Sequence, residues 1–229
     1  MAVPTVSAHP YEELTVPVGK PRGYVMVVHG GGWISVGKNA VLAVRPWASR
    51  FNRAGYATLN IDYRPGGKSL ADVIASYDRL RRAVGPAVPI CVLGGSAGGH
   101  LVLMLATRRH QIACVISEAG PTVLASLPPS IYPLAAESFG NLAGGLPAYS
   151  PALLPPPAKH THVLLVYATN DPLVPWTTVM AYKRCVPSAR LVTLTPGDTP
   201  YIHSTVERRQ VASLGYAERR FVRQSLARG

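Results

Sequence analysis

A serine, an aspartate and a histidine occur in that order, each inside a distinctive local setting, and a run of glycines precedes all three. Ser96 lies in "VLGGSAGGHL", Asp171 in "YATNDPLVP", His203 in "GDTPYIHST", and the glycine run is "HGGGW", His29 to Trp33. A serine hydroxyl is a weak nucleophile unless a base takes its proton, and that base needs an acid to orient it. His203 is the candidate base and Asp171 the candidate acid. The segment "GGSAG" satisfies G-x-S-x-G in its required context: an apolar strand-like run before it and a helix-forming run after it. A helix starting after Ser96 aims its free N–H groups at any developing oxyanion. Successive glycines in the first cluster leave further N–H groups unobstructed. Losing one such donor typically costs about 3 to 4 kcal/mol of transition-state stabilisation.

Other chemistries fit less well. A glycine cluster after a strand can hold a phosphate, but "GGGWISVGKNA" lacks G-x-x-x-x-G-K-[ST] because an asparagine follows Lys38. Neither cluster reads G-x-G-x-x-G with an acidic partner about twenty residues on, as a dinucleotide site requires. Asp198 is the rival acid, ranked second because it lies in the same loop as His203. Asp62 reads as a brace for the glycine loop or a turn, Glu118 as a minor site candidate at a strand end, and His100 as a packing or capping residue. His9, His110, His160 and His162 show no metal-ligand spacing, and no metal site is expected.

The elements that must position these residues alternate. Strands are predicted at 24–29, 55–63, 88–95, 111–120, 161–171 and 189–198, with helices at 45–54, 70–84, just after Ser96, and from about Thr205 to Leu226. Alternation of this kind predicts an α/β fold, a mostly parallel doubly wound sheet with helices on both faces. Ligand sites in such sheets lie outside the carboxyl ends of the strands, where His29 to Gly32, Ser96, Asp171 and His203 all fall. One segment, 119–160, is long and rich in proline and small residues; it reads as a small lid or insertion within a single domain spanning 1–229.

Composition narrows the classes. The 229 residues are 48% hydrophobic and only 15% charged, which fits a compact globular chain rather than a disordered one. The net charge of +12 comes largely from arginine doublets on amphipathic stretches, without a long basic run or interleaved aromatics. No specific nucleic-acid partner is expected from it. No apolar run approaches the roughly 18 residues of a membrane span, and the N-terminus lacks a leader pattern, so cytoplasmic residence is expected. Cys91, Cys114 and Cys185 are expected to be reduced thiols, two of them buried in apolar runs.

With these residues in view, the chain resembles the α/β-hydrolase superfamily, in particular the HGGG-type esterases of the hormone-sensitive-lipase and carboxylesterase group. The likeness runs from about Gly23 to Gln224 and includes "DYR" and "NDPLVP" besides the two glycine motifs. It implies Ser96 as nucleophile, His203 as base, Asp171 as orienting acid, and an oxyanion hole of the N–H groups of Gly31, Gly32 and Ala97. The sequence departs from the group at Gly95, where an acidic residue is common, in the short stretch before His29, and in the "STV" after His203. These departures favour a small-capped enzyme, similar to compact esterases and kynurenine-formamidase-like members. Segment 119–160 would then build the pocket, with Trp33 and Trp176 as walls. The implied reaction is cofactor-free cleavage of a small-molecule ester of small or medium acyl group. Thioester, formamide or peptide cleavage, acyl transfer or cyclisation on the same triad, and a non-catalytic ligand-binding protein are the alternatives. Oligomeric state is not legible.

Overall fold

The computed structural model describes residues 10–194 and 208–227. Its centre is a seven-stranded sheet: β1 (Glu12–Thr15), β2 (Tyr24–Val28), β3 (Ala57–Ile61), β4 (Ile90–Gly95), β5 (Cys114–Glu118), β6 (His162–Ala168) and β7 (Arg190–Leu194), in the order β1-β3-β2-β4-β5-β6-β7. All pairings are parallel except that of β1 with β3. The six predicted strands are present in shortened form. β1 escaped the sequence reading because "EELT" carries two carboxylates and sits at a half-exposed sheet edge, where charge blunts further pairing.

Strands buried on both faces alternate their side chains between two cores. Val25 and Val27 of β2 pack with Phe51 of α2 (Arg45–Asn52) and with Phe221 and Val222 of α8 (Arg208–Leu226). Met26 and Val28 join the opposite core with Val73 of α3 (Ser69–Val84), Leu101 of α4 (Ala97–Ala106) and Val179 of α7 (Trp176–Cys185). Burying one such aliphatic side chain stabilises by roughly 1.5–3 kcal/mol. A one-residue slip would exchange the two sets, so the register is fixed by volume on both sides. No helix among the described residues is long and apolar enough to cross a membrane.

The expectation of reduced thiols is corrected at two of the three cysteines. Cys91 and Cys114 face each other in register on β4 and β5, with Cα atoms 4.5 Å apart, and are joined by a disulfide. Each lies in an apolar run that reads as buried, and only the parallel pairing of the two strands brings them together. Cys185 is a free thiol. Closing the 23-residue separation stabilises the chain by about 3 kcal/mol in the chain-entropy view.

Segment 119–160 folds into short pieces rather than long helices. They include Leu124–Ser126, α5 (Tyr132–Ala135), a π-helical turn at Ala136–Gly140, α6 (Gly145–Ala148) and Pro151–Leu153. α1 (Lys38–Ala43) lies between the glycine loop and α2.

A buried acid ties α8 to the sheet. Glu218 is fully buried, with Arg50 Nη2 3.4 Å from its carboxylate, near the equally buried Glu118 of β5. Burial raises the Glu218 carboxyl well above the ordinary range, and the charge of Glu118 adds to the rise. The folded protein therefore keeps a proton that the unfolded chain releases. Stability from this group is full at acidic pH, below the ordinary Glu range, and declines as pH rises toward the folded-state value. Glu218→Gln keeps the shape and removes the titration. Urea unfolding at pH 5 and pH 8 is expected to show the wild type losing stability over this interval and the variant losing distinctly less. Parallel profiles would sink the assignment.

Candidate active site

Ser96 sits where β4 passes into α4, with φ 53° and ψ −122°. This is a costly conformation for a residue with a side chain. It is held by the Ser96 N–H, which donates to the Glu118 carbonyl oxygen at 2.8 Å. Strand and helix cross so closely here that a Cβ on Gly98 would lie 2.5 Å or less from the carbonyl oxygens of Val28 and His29. A Cβ on Gly94 would collide with the backbone of Gly98, and one on Gly95 with the indole of Trp47. The glycines around Ser96 are thus a packing requirement of the sharp turn.

The second glycine cluster follows β2 and leans on the same turn. A Cβ on Gly30 would stand 3.2 Å from Cβ of Ser96. Gly31, Gly32 and Trp33 have φ of 113°, 61° and 65°, and the Gly31 carbonyl accepts the N–H groups of Ile34 and Ser35 at 3.2 and 2.9 Å. Asp62, just past β3, spans the loop. Its carboxylate lies 3.0 Å from His29 Nε2 and accepts the Gly37 N–H at 2.9 and 3.0 Å. Tyr63 stacks on His29 with ring centroids 4.4 Å apart, and its hydroxyl lies 3.2 Å from the carbonyl oxygens of His29 and Gly30. The reading of Asp62 as a brace therefore holds. Asp62→Ala is expected to cost about 1–3 kcal/mol and to speed hydrogen exchange at the Gly37 amide. Unchanged protection there would refute the brace.

Trp33 is buried and fixed at both ends of a short chain of bonds. Its indole N–H donates to His100 Nδ1 at 3.1 Å, so His100 Nε2 carries the proton given to the Tyr149 carbonyl oxygen at 2.8 Å. Complete burial lowers the His100 pKa to about 4, keeping the ring in this neutral tautomer at physiological pH. Phe139 packs edge-on to Trp33 at 5.6 Å. His100 thus has the packing role expected of it, and segment 119–160 touches the glycine loop through Phe139, while Tyr149 reaches it only by way of His100.

A cavity of about 860 Å³ opens over these residues. Gly30 to Trp33, Ser96 and Ala97 line one side, Pro121, Ile131 and Leu134 of segment 119–160 another, and Trp47, Arg50 and Arg53 a third. The last group was missed in the sequence. Its signal is the three-residue spacing of Trp47, Arg50 and Arg53, which puts them along one helical face. Trp33 is a wall of the cavity. Trp176 is not: at the start of α7 it packs against the core instead.

Asp171 follows β6 and is 9% exposed. Its Oδ1 accepts the N–H groups of Leu173 and Val174 at 2.8 and 2.9 Å, and both of those residues line the cavity. Glu118 contributes its carbonyl to the Ser96 turn, while its side chain is buried on the α8 side of the sheet. His203 and Asp198 lie outside the described residues. Among the described residues no group of three or more His, Cys, Asp or Glu side chains is arranged to hold a metal.

The sequence matches no family model, and no curated protein matches it. Solved structures do match. A puromycin-hydrolyzing peptidase of Mycobacterium tuberculosis superposes with a TM-score of 0.75 at 22% identity, over 94% of this chain and 37% of that one. The chain thus spans little more than a third of that protein. Esterase B from Lactobacillus rhamnosis gives 0.75 at 16% identity, over 95% and 81%. A truncated carbohydrate esterase from gut microbiota gives 0.70 at 17%, over 93% and 90%. The parallel sheet with its antiparallel edge, the strained turn after β4 and these superpositions together identify the architecture of the chain as the α/β-hydrolase fold.

Proposed function

We propose that the protein is a serine hydrolase of the HGGG esterase type, cleaving carboxylic esters of small or medium acyl groups without a cofactor. The observation that carries this reading is the strained Ser96 turn, which shares one mainly apolar cavity with the braced glycine loop. Ser96 Oγ attacks the ester carbonyl as His203 takes its proton, and Asp171 orients His203. The N–H groups of Gly31, Gly32 and Ala97 receive the oxyanion. Collapse of the tetrahedral intermediate expels the alcohol, which takes the proton from His203 and leaves an acyl-enzyme. Water, deprotonated by His203, then releases the acid and restores Ser96. The cavity has the volume of a site for a small organic ligand, and segment 119–160 acts as its cap.

The solved structures that resemble the chain carry names of esterases and of a peptidase, so the leaving group is a matter for assay. A p-nitrophenyl ester series from acetate to laurate, combined with mass spectrometry after fluorophosphonate treatment, tests the proposal. Turnover and a single adduct on Ser96 are expected. Absence of both would reject a serine hydrolase and favour a ligand-binding protein. An adduct without ester turnover would reject the ester substrate and favour thioesters, formamides or acyl transfer. The Cys91–Cys114 bridge fits an oxidising compartment better than the cytoplasmic residence expected from the sequence; recovery of both thiols reduced from cells lysed with a thiol-trapping reagent would restore the cytoplasmic reading.

A further inference from the structure

A second, unrelated concavity lies at the other end of the sheet. Arg22 and Tyr56 lie within two residues before β2 and β3, whereas Ser96 follows the end of β4; the parallel strands set the two places apart. Arg22, Arg219, Arg220 and Arg223 line one cavity of about 300 Å³ there, together with Tyr56 and Tyr216. On α8, residues 216, 219, 220 and 223 are spaced three, four and seven apart and so share a helical face. The Arg22 guanidinium lies 5.8 Å from the centroid of the Tyr56 ring. Burial raises the Tyr56 hydroxyl pKa, and the charges of Arg22 and Arg223 pull it back. Two elements therefore bring positive charge to the same phenol.

Several arginines elsewhere in the chain hold a carboxylate partner. Arg45 pairs with Glu13, Arg64 with Asp72, Arg79 with Glu12 and Arg109 with Asp78. No described carboxylate forms an ion pair with any of the four arginines of this cavity or lines it, and Glu218, on the same helix, is turned inward toward Arg50. Four like charges around one small concavity repel each other, and a polyvalent anion relieves that repulsion. Guanidinium forks match phosphate oxygens two at a time, and they do so best when several converge.

We infer that this cavity is a binding site for the polyphosphate group of a soluble diphosphate or triphosphate compound. The cavity is compact and its charge is local rather than drawn out along a stripe, which fits a small ligand rather than a polymer. The inference does not rest on the hydrolase reading.

Titration calorimetry with inorganic tripolyphosphate, at about 0.15 M salt to screen diffuse attraction, tests it. Saturable one-to-one binding is expected. Affinity should fall by about tenfold or more in Arg219→Ala/Arg223→Ala and in Arg22→Ala. The pair Arg82→Ala/Arg184→Ala, which removes the same charge from exposed positions elsewhere, should leave it within about threefold. Arg22 lies outside α8, so its variant keeps the test decisive if the helix substitutions disturb folding. No saturable binding, or an equal loss in the control pair, would overturn the inference in favour of bulk charge. Displacement of tripolyphosphate by duplex DNA at a lower phosphate concentration would overturn it in favour of a nucleic-acid surface.

Discussion

Ser96→Ala is expected to lower kcat for p-nitrophenyl butyrate by on the order of 10⁵-fold, with the thermal unfolding midpoint nearly unchanged. The side chain faces a cavity, so the loss of one hydroxyl costs little packing, whereas every covalent step of the proposed reaction runs through that oxygen. Ser96→Gly should be equally inactive but more stable than the alanine variant, because φ 53° and ψ −122° burden any residue with a Cβ. Relief of strain of about 1–3 kcal/mol, set against the extra chain entropy that glycine loses on folding, leaves a net difference of about 1 kcal/mol. Urea unfolding of the two variants measures it. Retained turnover in the alanine variant would remove Ser96 from the chemistry. A glycine variant less stable than the alanine one would mean that no strain is stored at position 96.

Gly98→Ala is expected to be the most damaging glycine-to-alanine change among the described residues. Its added Cβ meets carbonyl oxygens of Val28 and His29 rather than flexible side chains, so α4 must withdraw from the end of β2. That motion would open the core around Val28 and Leu101 and pull the Ser96 turn away from the glycine loop. A loss of about 4 kcal/mol or more is expected, at the upper end of what one substitution does, along with loss of soluble expression or of activity. Gly85→Ala serves as the comparison. Gly85 has φ 80° and ψ 165°, a region nearly confined to glycine, but no atom within 4 Å of an added Cβ, so its cost should be limited to about 1–3 kcal/mol of backbone strain. Comparable midpoints for the two variants would show that the close crossing at Gly98 is not what requires a glycine.

Much of this arrangement is legible in one dimension because its causes are local. The strand ending at Gly95, the glycines that let α4 pass it, and Ser96 between them occupy a dozen consecutive residues, and their spacing alone predicts the turn. Asp171 likewise announces itself as a residue that caps its own loop, since the N–H groups it accepts are two and three residues on. Alternation of apolar runs predicts six of the seven strands for the same reason: burial on both faces demands apolar residues throughout.

Tertiary structure decided what depends on elements distant in sequence. Cys91 and Cys114 look like two unrelated buried thiols until β4 and β5 pair in register. Trp47 and Arg50 read as one face of an ordinary amphipathic helix, and only the packing of α2 beside Gly95 makes them walls of the cavity that Trp176 was expected to supply. The buried pair Glu118 and Glu218 lies a hundred residues apart in sequence, and nothing in either local segment signals the other. Sequence by itself determined which backbone turns and which residue types stand at the strand ends, because sterics and short-range hydrogen bonds act within a few residues. The composition of the cavity walls, the disulfide and the four-arginine cavity were decided by which faces the sheet order brings together, a property of volume and register that no local segment encodes.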